Sequence, residues 1–90
     1  MAERLVCYFS GRVQGVGFRY AARSVAASFA VTGFVRNLRD RRVELVAEGE
    51  RADLEGLLSQ VNSEMAGYIG ETDVRWSQAT GEFDSFGIRF

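Results

Sequence analysis

The nine residues Gly11-Arg12-Val13-Gln14-Gly15-Val16-Gly17-Phe18-Arg19 set three glycines and a closing arginine between an alternating apolar run and a run with helical spacing. Glycine lets backbone N–H groups converge on one point, a helix N-terminus adds partial positive charge, and an arginine fork can hold two oxygens at once. A loop of this kind suits an anion, and a phosphoryl group would use all three devices. Glycines at 11, 15 and 17 match neither G-x-G-x-x-G nor G-x-x-x-x-G-K-[ST], which argues against dinucleotide and nucleoside triphosphate loops. The bland alternative is a tight turn with Arg19 as a surface charge.

The surrounding elements must position that loop. Arg4 to Arg12 alternates Leu5, Cys7 and Phe9 against Val6, Tyr8 and Ser10, the period of a strand. From Phe18 to about Phe29, Ala21, Ala22, Val25, Ala26 and Phe29 recur at helical spacing. Thr32 to Leu38 reads as a second strand, Arg39 to Arg41 as a turn, and Arg42 to Glu48 as a third strand. Leu54, Leu57, Leu58, Val61 and Met65 form one stripe of a second helix. Glu71 to Ser77 and Phe83 to Phe90 close the chain as a last strand split or bent near Ala79 to Gly81.

The order βαββαβ in residues 1–90 predicts a single domain of the α+β class, a ferredoxin-like sandwich with both helices on one face of an antiparallel sheet. The other face is expected to be solvated, carrying Val6, Tyr8, Val46, Glu44 and Glu48. In a split βαβ unit the first two strands run parallel with the third between them. Strands lie ~4.8 Å apart, so Asn37 should return to the same sheet edge as the glycine loop, roughly 10 Å from the end of the first strand. Helical side chains lean toward the N-terminus, which brings Arg19 over the loop. An asparagine at a strand end is also a common turn former.

Composition narrows the chemistry. The chain has no histidine, no lysine and one cysteine, so an imidazole base, a Schiff base, a Walker lysine, an internal disulfide and nearly every zinc constellation are removed. Cys7 falls on the core side of its strand and is expected to be inert. No metal and no cofactor are expected. All eleven cationic side chains are arginine. Eight of them lie in residues 4–42 against one acid, Asp40, while residues 43–90 hold three arginines against ten acids. That asymmetry suggests an anionic ligand for the first half, unless the fold interleaves the two halves and mixes their charges. Nothing in the sequence reads as a signal peptide or membrane span, so a soluble, cytoplasmic protein is the expectation.

The glycine loop, the segment Gly33-Phe34-Val35-Arg36-Asn37, Val43-Glu44 with Gly49, Gly81-Glu82-Phe83 and the closing Phe86-Gly87-Ile88-Arg89-Phe90 together resemble the acylphosphatase family over nearly the whole chain. The resemblance implies a ferredoxin-like fold and hydrolysis of carboxyl-phosphate anhydrides, with Arg19 binding phosphate and Asn37 positioning the attacking water. The phosphate would be held by Gln14, Gly15, Val16, Gly17, Phe18 and Arg19. The inventory agrees with such chemistry, because a carboxylate of low basicity departs without an acid and the protein need only position charges and stabilise them.

Three positions depart from the family pattern. Arg41 stands where glycine is usual, so the turn is predicted to be of another type or locally strained. Ala30 replaces the glycine that often closes the first helix, and Phe9 replaces a branched aliphatic. The expected partner is a small acyl phosphate, with no nucleic acid, no membrane and a monomeric state. Two other readings compete. One is a phosphate- or carbamoyl-phosphate-binding domain of a larger maturation enzyme, less favoured because the chain ends at Phe90. The other is an RNA-binding ferredoxin-like module, disfavoured because Glu44 and Glu48 occupy the third strand.

Overall fold

Leu5, Cys7 and Phe9, the alternate positions of the first predicted strand, are fully buried, and this fixes which sheet face meets the helices. The computed structural model describes Met1–Phe90. Its elements are β1 (Ala2–Gly11), α1 (Phe18–Ala26), β2 (Val31–Asn37), β3 (Val43–Glu50), α2 (Arg51–Glu64), β4 (Ile69–Gln78) and β5 (Phe86–Arg89). The strands form one sheet in the order β4-β1-β3-β2-β5. β3 pairs antiparallel with both β1 and β2, so β1 and β2 run parallel with β3 between them, and Asn37 stands opposite Val43 as Phe9 does.

The core lies between the helices and one face of the sheet. Val35, Val43, Leu45 and Ala47 meet Phe18, Ala22, Val25 and Ala26 of α1 and Leu54, Leu57 and Val61 of α2 there. The predicted stripe of the second helix is therefore the buried one, with Leu58 at its half-exposed margin. α1 stops at Ala26 and not near Phe29, because Ser28 and Phe29 donate back three residues, to Val25 and Ala26, and tighten the turn. That ending is right-handed at Ala27, so Ala30 in place of glycine causes no strain.

The closing strand does split, and its halves lie on opposite edges of the sheet. β4 pairs antiparallel with β1, whereas β5 pairs parallel with β2, so the ferredoxin-like order carries one parallel pair. Residues 79–85 must then cross the face away from the helices. This corrects the expectation of a solvated face. Phe83, predicted in a strand, lies in the crossing segment with its ring edge-on to Phe34 at 5.8 Å between centroids. Phe34, Glu44, Val46 and Glu48 are all buried on that face, Phe34 against Phe83, Glu48 under Thr80 and Gly81, and Glu44 beside Arg36.

Glu48 holds the segment in place. Its carboxylate accepts from the Arg4 Nε at 2.7 Å, from the Thr80 N–H at 2.9 Å and hydroxyl at 3.1 Å, and from the Gly81 N–H at 2.9 Å. Arg4 also pairs with Glu82. Arg36 pairs with Glu44 at 2.6 Å and Arg51 with Glu3 at 3.0 Å. The charges of the two halves therefore mix, as interleaved strands require.

Candidate active site

Five arginines carry an acidic partner: Arg4, Arg36, Arg42, Arg51 and Arg75. The other six include Arg12, Arg19, Arg39 and Arg41, which belong to the glycine loop, the helix it feeds and the β2–β3 hairpin. After the charges of the two halves have cancelled, a basic cluster is left at the sheet edge where β1 and β2 end.

The loop is anchored at both ends by burial. Val13 is buried at its start, and Phe18 at its end sets its ring 4.9 Å from that of Phe9. Between them Gly15 and Gly17 adopt φ of 76° and 80°, and nothing lies within 4 Å of a side chain built at either position. Glycine is required there by backbone conformation and not by crowding. Residues at positive φ alternating with neighbours that are not can turn successive N–H groups toward one side, as an anion nest does.

Those N–H groups have no other work to do. The first backbone donor of α1 with a partner is Ala21, which donates to Gly17 at 3.0 Å. No backbone or side-chain acceptor meets the N–H of Gln14, Gly15, Val16, Gly17, Phe18, Arg19 or Tyr20. Seven donors in a row at a helix N-terminus, on a loop with a positive partial charge, can gather around the oxygens of one phosphoryl group.

Asn37 ends β2 and is half-buried. The contact that brings it to the loop is one that sequence reasoning missed. The Gln14 side-chain amide donates to the carbonyls of Leu38 at 2.8 Å and Arg42 at 3.0 Å, clamping the loop to the neck of the hairpin one residue beyond Asn37. Sequence reasoning had assigned Gln14 only a backbone role. A second missed residue is Phe90, whose ring lies 4.8 Å from the Arg19 guanidinium. β5 pairs with β2 up to Arg36 and Arg89, so Phe90 and Asn37 are the residues that follow the last pair on the two strands. A terminal aromatic carries no sequence signal for that place.

The hairpin tip is strained, one of the two expected outcomes. Arg41, at φ 75°, is the only residue other than glycine at positive φ. Arg41 donates to the Leu38 carbonyl at 3.2 Å and Leu38 to that of Arg42 at 2.8 Å, closing a three-residue loop whose last position is left-handed. Between this tip and the glycine loop runs a groove of about 410 Å³ lined by Gly11, Arg12, Val13, Gln14, Val16 and Arg41. Cys7 lies away from the site. Burial pushes its thiol up to about 12, leaving it protonated and unreactive at neutral pH. No three Cys, Asp or Glu side chains gather as a metal ion would require, and no helix is long and apolar enough to cross a membrane.

The acylphosphatase family model matches residues 5–88. An acylphosphatase of Roseiflexus sp. is 46% identical over 82 residues, covering 90% of this chain and 88% of its own length. One from Paenarthrobacter aurescens is 45% identical over 86 residues, covering 94% and 92%. Among solved structures, the acylphosphatase of Bacillus subtilis superposes over the whole of both chains with a TM-score of 0.85 at 29% identity. Full-length HypF in its phosphate- and nucleotide-bound form shares the fold, with a TM-score of 0.81 at 24% identity, over 12% of its own length.

Proposed function

The chain belongs to the acylphosphatase family, and we propose that it hydrolyses acyl phosphates to a carboxylate and inorganic phosphate without a metal ion, using Arg19, Asn37 and the amides of Gln14 to Arg19. The observation that carries this reading is the row of unpaired amides beside an arginine with no acidic partner. In the reaction the amides and the Arg19 fork hold the three phosphoryl oxygens, and their charge stabilisation grows as the P–O bond to the acyl group lengthens. A water hydrogen-bonded to the Asn37 side chain attacks phosphorus in line. The P–O bond breaks with its electron pair going to the carboxylate. An amide is not a base, so the water proton passes to a phosphate oxygen.

The same reading has one chain act alone on a small cytoplasmic substrate. What favours it over RNA binding is the buried state of Glu44, Val46 and Glu48 on β3, with Glu48 held by the segment that bears Phe83. The acylphosphatases named above, 46% and 45% identical against 24% for HypF, favour it over the activity of a larger maturation enzyme.

The test is phosphate release from acetyl phosphate in the presence of a chelator. Wild type should turn over, and Arg19→Ala should lose about a hundredfold to a thousandfold in kcat together with weaker inhibition by phosphate. Turnover retained in the variant, or lost from wild type on chelation, would count against the mechanism.

A further inference from the structure

Three cavities open on the surface, and two are lined by carboxylates: Glu71 and Asp73 in one, Glu82 and Asp84 in another. The third, between the glycine loop and the hairpin tip, is lined by Arg12 and Arg41 and by no acid. Neither arginine has an ion-pair partner, although Asp40 is adjacent, because Asp40 is taken by Arg42 at 2.8 Å. Arg12 is steadied at the groove by its backbone, whose N–H donates to the Tyr68 carbonyl at 2.9 Å, and by its guanidinium, 5.9 Å from the Tyr68 ring.

Arg41 supplies a second, independent indication. A left-handed conformation costs a side-chain-bearing residue stability that glycine would not lose, and strain of this kind concentrates at ligand contacts. Arg41 lies on the exposed tip and fills no core position, so packing does not account for it. The groove shares Gln14 and Val16 with the candidate phosphate loop and includes neither Arg19 nor Asn37. A molecule held by its phosphoryl group at the loop therefore has a basic groove alongside.

We infer that Arg12 and Arg41 form a second anion subsite, and that the preferred substrates are acyl phosphates whose acyl group carries a further anionic group such as a carboxylate. This rests on the hydrolase reading above. No bond changes at the subsite; it binds the distal charge and selects among substrates of the same reaction.

Succinyl phosphate and butyryl phosphate differ in the distal group, a carboxylate in one and a methyl in the other, and their kcat/KM ratio isolates the effect. Wild type should favour succinyl phosphate, and the preference should shrink with added salt. Arg41→Gly and Arg12→Gln should each lower the ratio by about fivefold, and Arg41→Lys should keep most of it. Arg41→Gln, which leaves the left-handed strain in place, should behave as Arg41→Gly and so separate charge from backbone relief. A wild-type enzyme that hydrolyses both substrates with a ratio unmoved by all four variants overturns the subsite alone. Hydrolysis of neither substrate by wild type overturns the hydrolase reading and the subsite with it.

Discussion

Gln14 bears on the site in two ways, because its backbone N–H is free for a ligand while its side chain clamps the neck of the hairpin just beyond Asn37. Replacing it with Met keeps the shape and removes both donors. The two carbonyls it serves also accept from Arg41 and Leu38, so neither is left without a partner. Each lost bond should cost about 1 kcal/mol, a modest loss of stability. Catalysis should suffer more, with kcat about tenfold lower because the loop and Asn37 drift out of register. Asn37→Ala should instead lower kcat by about a hundredfold while phosphate inhibition stays nearly intact. Phosphate inhibition lost together with kcat would show that Asn37 holds the phosphate and not the water. The glycine loop and Arg19 were legible from residue type and spacing. The Gln14 clamp and the Phe90 stack were not, since each joins residues far apart in the chain whose pairing depends on the finished sheet.

At the scale of elements, periodicity revealed both helices and β1, whose core-facing residues repeat at the period of the element. The alternation of Val43, Leu45 and Ala47 with Glu44, Val46 and Glu48 revealed β3 although both of its faces are buried. β5 escaped in its details for a physical reason. It has four residues, and a short alternating run can pair with either edge and in either direction, so nothing local fixes its parallel alignment with β2. The β2–β3 turn shows the opposite case, where one residue out of place gave a usable forecast. Arg41 was expected to force another turn type or strain, and strain is the outcome. Arg41→Gly should therefore stabilise the fold by about 1 kcal/mol, raising Tm by roughly 4 °C or more in a domain of this size. Thermal unfolding followed by circular dichroism measures it. A fall in Tm would mean that the arginine side chain makes up for its strained backbone.

At the scale of the whole molecule, the sheet face away from the helices determines how the two halves of the chain are joined. Sequence alternation assigned Glu44, Val46 and Glu48 correctly to that face but could not show that residues 79–85 cover it, because an irregular crossing segment has no period. Cover turns Glu48 from a solvated charge into a buried one. Burial by itself would raise its carboxyl, but the Thr80 N–H, the Arg4 guanidinium, the Gly81 N–H and the Thr80 hydroxyl outweigh it, and the group titrates at about 2 in place of its usual 4.5. A folded-state value below the unfolded one means that the contribution to stability is complete above the usual value. It drains away as pH falls from about 4.5 toward 2. Glu48→Gln should cost about 2 kcal/mol or more at pH 7, since the amide cannot accept from all four donors and leaves Arg4 short of its partner. The gap between wild type and variant should narrow in urea unfolding carried out at pH 7, 4 and 2.5, most of the loss falling between the last two and roughly a quarter of the gap remaining at the lowest. A gap that stays constant over that range would assign the loss to packing of the crossing segment and not to the charge of Glu48.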